Sequence, residues 1–210
     1  EVPHSAWADA TSQTFMKSKG IGNIQGLQMY FNQRMNGVLG RHNRKMVGWD
    51  EITGNWLPKN VTVQFWRGWM PHVANEIANL GLQSIASNEL YLDWVRSVKQ
   101  YYRHSISGHN GRIGGEACMW SEWASYNLDN RVWPTLAAIG ERLWLQHEAP
   151  GGTLQMYARI LQVSKSLTAL GLRHENTYNV AVDAVLTGVE PTYDDVMNWP
   201  NNNLTAVLAK

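Results

Sequence analysis

Residues 112–122 read R-I-G-G-E-A-C-M-W-S-E: two glycines lead into a short apolar run that ends on Trp120, Ser121 and Glu122. Such a run is typical of a parallel strand buried on both faces, and barrel enzymes place their chemistry where these strands end. An aromatic ring and a carboxylate two residues apart suit a sugar, because the ring packs on the C–H face while the carboxylate accepts hydrogen bonds from hydroxyl groups. A core tryptophan beside a solvated glutamate would give the same local pattern, so this segment alone leaves both interpretations open.

A short apolar run that ends in, or is soon followed by, an aromatic residue recurs three times upstream. The earlier runs that we predict as strands are 45–49, 61–66 and 82–87, and the last is followed by Tyr91 and Asp93. Helical patterns begin at Asn23 and cover 73–80, 131–146 and 154–170. Strand followed by helix, four times over, predicts an α/β fold with a parallel sheet covered by helices. In a (β/α)8 TIM barrel the carboxyl ends of the strands converge on one face, so we expect that fold. A whole barrel typically needs about 250 residues, so this chain should hold about four βα units, which is half of a barrel.

The composition excludes several classes of partner and favours one. Lys and Arg total 18 against 17 Asp and Glu, so the net charge of +1 offers no field for a polyanion, and nucleic acid is not an expected partner. No apolar stretch is long enough for a membrane span. The seven histidines show no metal-ligand spacing, so neither a metal nor another cofactor is expected.

Cys118, the only cysteine, lies in an apolar run and is predicted to be a buried, inert thiol. The 11 Trp against 3 Phe favour flat apolar surfaces with a polar edge, as carbohydrate sites require.

Five motifs, in order, carry a resemblance to a known family. They are V-G-W-D-E-I at 47–52, V-Q-F-W-R-G at 63–68, Y-L-D at 91–93, G-G-E-A-C-M-W-S-E at 114–122 and W-P-T-L-A-A-I-G-E-R-L-W at 133–144. The chain resembles the C-terminal half of the catalytic barrel of glycoside hydrolase family 20, the β-N-acetylhexosaminidases. The resemblance assigns residues 1–172 to that half-barrel and leaves 173–210 as an irregular C-terminal extension. It also implies that the missing N-terminal half of the barrel is a partner, and it suggests a secreted, periplasmic or lysosomal compartment.

The resemblance implies a catalytic acid at the first residue. The family carries an H-x-G-G-D-E segment that E-V often closes, and this chain begins Glu1-Val2, which reads as an interior cut. Glu1 therefore resembles the general acid/base, and its neighbouring Asp is expected just before the first residue. The alternative is that Glu1 is an ordinary terminal residue.

The resemblance also implies a set of substrate-binding residues. Three indoles would wall the pocket of the 2-acetamido group, the Tyr91 hydroxyl would donate to the acetamido oxygen as part of the catalytic set, and two carboxylates would accept from the distal hydroxyls. The indoles are those of Trp49, Trp66 and Trp120, and the carboxylates are those of Asp93 and Glu122. On the residues alone, Trp49 and Trp66 could instead be core residues, and Asp93 could be the N-cap of the next helix.

The implied activity is the hydrolysis of terminal, non-reducing β-linked GlcNAc or GalNAc from oligosaccharides such as chitooligosaccharides or glycoconjugates. In this family the substrate assists its own hydrolysis through an oxazolinium intermediate, with retention of configuration. A non-catalytic N-acetylhexosamine-binding protein and an inactive barrel fragment remain as alternatives.

Two further features bear on these assignments. Asp50 and Glu51 are adjacent, and neighbouring strand residues point to opposite faces, so we expect that they cannot both reach one bond and leave them out of the catalytic set. Thr135 stands where the family usually has Arg, and a change in packing or stability is expected there.

Overall fold

The computed structural model describes residues 4–94, 96–106, 111–122 and 128–174. Glu1 and almost all of the proposed C-terminal extension, residues 175–210, lie outside these ranges. Within the described residues, no helix combines the length and the apolar character that crossing a bilayer demands.

The sheet has four strands, as the sequence predicts, and they follow one another in chain order. They are β1 (Val47–Trp49), β2 (Thr62–Phe65), β3 (Gln83–Ala86) and β4 (Arg112–Gly115), in the order β1-β2-β3-β4. β1 and β2 run parallel, with Val47 opposite Thr62 and Trp49 opposite Gln64. All four residues of β2 are buried, which is expected for an inner strand of a parallel sheet. The predicted α/β class is confirmed.

Seven α-helices lie in the described ranges. They are α1 (Ala10–Ser18), α2 (Ile24–Arg41), α3 (Pro71–Asn79), α4 (Val98–Arg103), α5 (Leu128–Val132), α6 (Thr135–Leu145) and α7 (Gly152–Ala169). Short 3₁₀ helices cover His4–Trp7 and Asp50–Ile52. The Asn23 side chain caps α2 by accepting from the Gly26 amide, and Ser97 with Gln100 forms a reciprocal capping box on α4.

The single helix predicted over 131–146 is wrong, because two helices occupy that region. α5 ends at Val132 and α6 begins at Thr135, on either side of Trp133 and Pro134. A residue that precedes proline is disfavoured in the α conformation, and proline has no N–H to donate to the preceding turn. Pro134 therefore marks the start of a new helix, whose first residue, Thr135, is buried.

The chain divides into two compact units. The first contains the described residues up to Ile85 together with 111–113, and the second contains 86–106 and the described residues from 114 onward. The core of the first unit joins β2 to α3 and the segment after it through Val63, Phe65, Ile77 and Leu82. In the second unit one cluster packs α4, α6 and α7 together, and another surrounds Leu90, Leu92 and Ile139.

Candidate active site

A buried carboxylate joins the ends of β1 and β2 in the first unit. Asp50 follows β1 directly, and its side chain has no exposed surface. Its Oδ2 accepts from the main-chain amides of Trp66 at 2.9 Å and Arg67 at 3.0 Å. Its Oδ1 forms a charged hydrogen bond with Nε of Arg67. The turn that follows β2 is thereby fixed to the end of β1.

Glu51 acts on the same turn through a different atom. Its Oε1 accepts from the indole Nε1 of Trp66 at 2.8 Å and lies 3.8 Å from Nε of Arg67. The premise that Asp50 and Glu51 lie on a strand and so point to opposite faces is wrong, because both carboxylates reach the turn that carries Trp66. β1 ends at Trp49, and the 3₁₀ helix that begins at Asp50 abolishes the two-residue alternation of a strand.

Three indoles cluster beside these carboxylates. The ring centroids of Trp49 and Trp66 are 6.4 Å apart with an interplanar angle of 80°, and those of Trp66 and Trp69 are 5.0 Å apart at 86°. Trp49 and Trp66 are half-buried, whereas Trp69 is 55% exposed. Edge-to-face contacts of this kind are the favoured arrangement of aromatic pairs. Trp66 therefore stands between two other rings at the end of β2.

The second unit carries the residues that follow β3 and β4. The chain after β4 pairs with residues 90–92, because the Cys118 amide donates to Leu90 at 3.0 Å and the Leu92 amide donates to Cys118 at 2.8 Å. This pairing forms an isolated parallel bridge between Tyr91 and Cys118. It brings the segment with Tyr91 and Asp93 beside the segment with Trp120.

Asp93 is 5% exposed, and its Oδ1 accepts from the main-chain amide of Trp120 at 3.2 Å. It is not the cap of the following helix, because that position belongs to Ser97. Trp120 is 41% exposed, and Glu122 is exposed in the turn that follows it. The buried Asp93 carboxylate thus lies against the main chain of the open Trp120 indole, and the exposed Glu122 carboxylate follows two residues later. Groups of these kinds can bind the hydroxyls and the apolar face of a sugar.

Tyr101 holds the segment that carries Tyr91. Its hydroxyl donates to the main-chain oxygen of Tyr91 and lies 3.0 Å from that of Trp94. Burial raises the pKa of Tyr101, so the hydroxyl stays protonated and remains a donor. The Tyr91 ring is buried and stacks on Trp94 with centroids 5.0 Å apart and an interplanar angle of 19°.

Comparison with known proteins places this chain in a family. The family model described as "Glycosyl hydrolase family 20, catalytic domain" matches residues 1–110 and 97–147, more than half of the chain. The chain belongs to glycosyl hydrolase family 20. The resemblance drawn from the five motifs is thereby confirmed.

Curated relatives of this family 20 chain are similar over the same region. The β-hexosaminidase subunit beta of Felis catus is 31% identical over 161 residues, which cover 69% of this chain and 30% of the relative. A β-hexosaminidase of Porphyromonas gingivalis is 28% identical over 171 residues, covering 69% of this chain and 22% of the relative. The chain thus spans less than a third of the length of these relatives.

Solved structures confirm the fold. The X-ray structure of a Flavobacterium johnsoniae chitobiase superposes with a TM-score of 0.67 at 31% identity and covers 81% of this chain and 28% of that one. A β-N-acetylhexosaminidase of Bacteroides fragilis gives a TM-score of 0.72 at 20% identity, covering 81% and 40%, and shows the fold alone. Family 20 structures of this kind are TIM barrels, and the four-stranded sheet of this chain is part of such a barrel.

The site residues predicted for this family 20 chain fall into two groups, one in each unit. Trp49 and Trp66 lie in the first, with centroids 6.4 Å apart. The second group consists of Tyr91, Asp93, Trp120 and Glu122. Glu1 lies outside the described residues.

Sequence reasoning missed three residues that hold these groups in place. Asp50 and Glu51 were identifiable from their position directly after a predicted strand, next to Trp49. Tyr101 gave no signal, because it lies in a stretch without a clear periodic pattern, where a tyrosine also fits a plain core position. Among the described residues, no group of three or more His, Cys, Asp or Glu side chains could hold a metal ion.

Proposed function

We propose that this chain belongs to a β-N-acetylhexosaminidase that removes terminal, non-reducing β-linked N-acetylhexosamine from oligosaccharides such as chitooligosaccharides or glycoconjugates. The observation that carries the proposal is the Asp93–Trp120 pair. The buried Asp93 carboxylate accepts from the main-chain amide of Trp120 at 3.2 Å, and Trp120 itself is 41% exposed. Curated relatives over this region are β-hexosaminidases, and one similar solved structure is a chitobiase. The motif order agrees with both.

The proposed mechanism is retaining and substrate-assisted. The carbonyl oxygen of the 2-acetamido group attacks the anomeric carbon while the bond to the aglycone oxygen breaks, and Glu1 donates its proton to that leaving oxygen. Glu1 then takes a proton from water, the water oxygen bonds to the anomeric carbon, and the oxazolinium ring opens to restore the acetamide. Tyr91 donates a hydrogen bond to the acetamido oxygen before it attacks.

The binding residues have separate tasks in this proposal. The indoles of Trp49, Trp66 and Trp120 hold the acetamido group bent beneath the sugar ring, which is a near-attack geometry, and exclude water from it. Asp93 and Glu122 accept hydrogen bonds from the distal hydroxyls and so fix the terminal ring. Residues 1–172 would form the C-terminal half of the catalytic barrel, with the N-terminal half completing it.

Two tryptophan variants, one in the proposed site and one outside it, test the proposal in the full-length protein. Trp120→Ala should weaken the binding of a thiazoline inhibitor that mimics the oxazolinium by about tenfold or more, or about 1.4 kcal/mol, because it removes the aromatic surface that packs on the sugar. Trp144 is 88% exposed on α6, so Trp144→Ala is the matched control and should bind like the wild type. Calorimetric affinities that are equal for wild type and Trp120→Ala would remove Trp120 from the site.

Glutamate variants separate an enzyme from a binding protein. Glu122→Gln should lower kcat/KM for a chromogenic N-acetylglucosaminide without removing a limb of the pH–rate profile, because Glu122 orients the ring and transfers no proton. Glu1→Gln should abolish turnover while the thiazoline still binds. If the wild-type full-length protein binds the inhibitor but does not turn over the substrate, the non-catalytic alternative replaces the proposed enzyme.

A further inference from the structure

We propose that Asp50 and Glu51 are positioning residues that fix Trp66, and that through this indole they limit the size of the 2-acyl group that the site accepts. The inference rests on the proposed function, in which Trp66 walls the acetamido group. Neither carboxylate is given a proton-transfer step, and neither is proposed to touch the substrate.

The Asp50 carboxylate fixes the main chain that carries Trp66. The Asp50 carboxylate accepts from two consecutive amides, those of Trp66 and Arg67, at 2.9 and 3.0 Å. Its own side chain is fully buried, so removing it would leave these amides without this acceptor in a place that water reaches poorly. The Gly68 amide also donates to Trp66 at 2.9 Å, and the Met70 amide donates to Arg67 at 2.8 Å. The backbone that carries Trp66 is therefore fixed from both directions.

The Glu51 carboxylate fixes the indole ring of Trp66. An indole turns about two side-chain torsions, and fixing its main chain leaves both of them available. The bond from Nε1 of Trp66 to Oε1 of Glu51, at 2.8 Å, removes that freedom because it fixes the far edge of the ring to a charged acceptor. Arg67 lies beside both carboxylates and offsets their charge at close range. The indole is thus held at its amide and at its outer nitrogen.

A rigid indole wall makes the pocket selective for the size of the acyl group. A wall that cannot move resists an extra methylene, whereas a wall that can rotate accommodates it at lower cost. One methylene in a close-fitting pocket changes binding by about 10–200-fold in enzymes that discriminate this way. Removing the Glu51 carboxylate should therefore improve the relative binding of a 2-propionamido ligand over a 2-acetamido ligand.

Indole resonances test whether Glu51 holds the ring. In the ¹⁵N-labelled full-length protein, the Nε1–H signal of Trp66 is assigned by its loss in Trp66→Phe. In Glu51→Ala this proton should move upfield and exchange with solvent at least about tenfold faster, because it loses a charged acceptor. Glu51→Gln keeps an acceptor oxygen and should restore most of the protection. Glu76→Ala is the control, since Glu76 is exposed on α3 and should leave the signal unchanged.

Inhibitor affinities test the acyl-size selection in the full-length protein. The probes are two thiazoline inhibitors, one with the methyl group that corresponds to an N-acetyl substrate and one with an ethyl group. The wild type should prefer the methyl compound. Glu51→Ala should reduce this preference by about fivefold or more, while Glu51→Gln and Glu76→Ala should retain it. A preference that loosens in Glu51→Ala and returns in Glu51→Gln is not the result of a general loss of stability.

The outcomes separate this inference from the proposed function. An unchanged Trp66 signal in Glu51→Ala overturns the inference, and so does a shifted signal with an unchanged methyl-to-ethyl preference; both leave the hexosaminidase proposal intact. Selective binding without hydrolysis overturns the proposed enzyme and supports the inference. A wild-type protein that binds neither inhibitor overturns both.

Discussion

At the scale of single residues, Cys118 shows how the parallel pairing sets chemical reactivity. The residue is 9% exposed, and its amide and carbonyl are both used in the pairing with residues 90–92. Burial raises the pKa of the Cys118 thiol, so the reactive thiolate is scarce at neutral pH. The sequence prediction of a buried thiol is confirmed.

The thiol should resist alkylation in the folded chain. At pH 8, iodoacetamide should label Cys118 at least about tenfold more slowly in buffer than in denaturant, because both the thiolate fraction and access to the sulfur are reduced. Labelling in the folded state should rise only at pH values above those at which ordinary cysteines ionise. Mass spectrometry of samples taken over time measures both rates. Equal rates in buffer and in denaturant would contradict the burial of this side chain.

The aromatic and acidic residues at the strand ends were predictable, but the contacts of Asp50 and Glu51 were not. Trp49, Trp66 and Trp120 stand out because each ends or follows a short apolar run. The contacts of the two carboxylates depend on the point at which β1 becomes a 3₁₀ helix, and one residue more or less reverses which side chains share a face. Sequence periodicity does not locate such a boundary to one residue.

At the scale of secondary-structure elements, one polar network joins α4, α6 and α7. The Tyr102 hydroxyl donates to Oε1 of Glu141 at 2.6 Å, and Arg159 donates to both oxygens of Glu141 at 2.6 Å. The Ala149 amide donates to the Tyr102 hydroxyl at 2.9 Å. Hydrogen bonds from Arg159 are the main cause that lowers the pKa of Glu141 below its ordinary value. The charged form of Glu141 is therefore favoured by folding.

This network should make part of the stability depend on pH. Because the pKa of Glu141 is lower in the folded state, its contribution is fully present above the unfolded pKa and is lost as pH falls through the folded pKa. Glu141→Gln should lower the free energy of unfolding at pH 7 by about 1 kcal/mol, a value discounted for partial exposure of the pair. The difference from the wild type should shrink as the pH is lowered below the ordinary range of glutamate.

Urea unfolding at a series of pH values measures this effect. Glu76→Gln, at an exposed position on α3, is the control and should track the wild type throughout. A Glu141→Gln deficit that stays constant from pH 7 to strongly acidic conditions would show that the ionised carboxylate does not carry the effect.

The positions of α2, α3 and α7 were predictable from the spacing of apolar residues, while the interruption between α5 and α6 was not. The start of α2 at Asn23 and the end of α7 before Gly171 follow from residues whose capping chemistry is local. The division at Pro134 was missed because proline is also tolerated in the first turn of a helix, and the sequence pattern continues across it. Sequence alone does not say whether the turn before the proline packs as part of the same helix.

At the scale of the whole molecule, the sheet ends in strands that carry exposed apolar side chains. β1 and β4 are the first and last strands in the sheet order, with Val47 54% exposed and Ile113 58% exposed. On α2, Phe31 is 51% exposed. Parallel sheets are normally covered on both faces, and exposed apolar edge strands promote association.

The 210-residue chain on its own should therefore self-associate. Light scattering coupled to size-exclusion chromatography should give an apparent mass that rises with concentration. The double variant Val47→Lys/Ile113→Lys should shift the population towards monomer, because charges on edge strands oppose pairing. Leu170→Lys, which changes a side chain that is 76% exposed outside the sheet, is the matched control and should associate like the wild type. A wild-type chain that stays monomeric over a hundredfold range of concentration would contradict this prediction.

The partial-barrel architecture was predictable because four short runs alternate with helical patterns and the family motifs follow one another in order. What the sequence could not supply is the division into two compact units, whose boundaries pass through β3 and β4. Such boundaries depend on contacts between distant parts of the chain, and these leave no local pattern.

The bonds that Asp50 makes to the turn after β2 also mean that the loop between β1 and β2 does not have to position Trp66. The Trp66 amide is bound by Asp50 at the end of β1, 16 residues earlier, so the position of Trp66 does not depend on the length of the loop 53–61. Within that loop Leu57 and Val61 are buried, but Asn55 and residues 58–60 are exposed. Each doubling of the length of a flexible loop costs only about 0.6 kcal/mol in closure entropy. The exposed part of this loop is thus open to insertion and diversification, and a protein engineer could graft a recognition peptide there while the indole keeps its place.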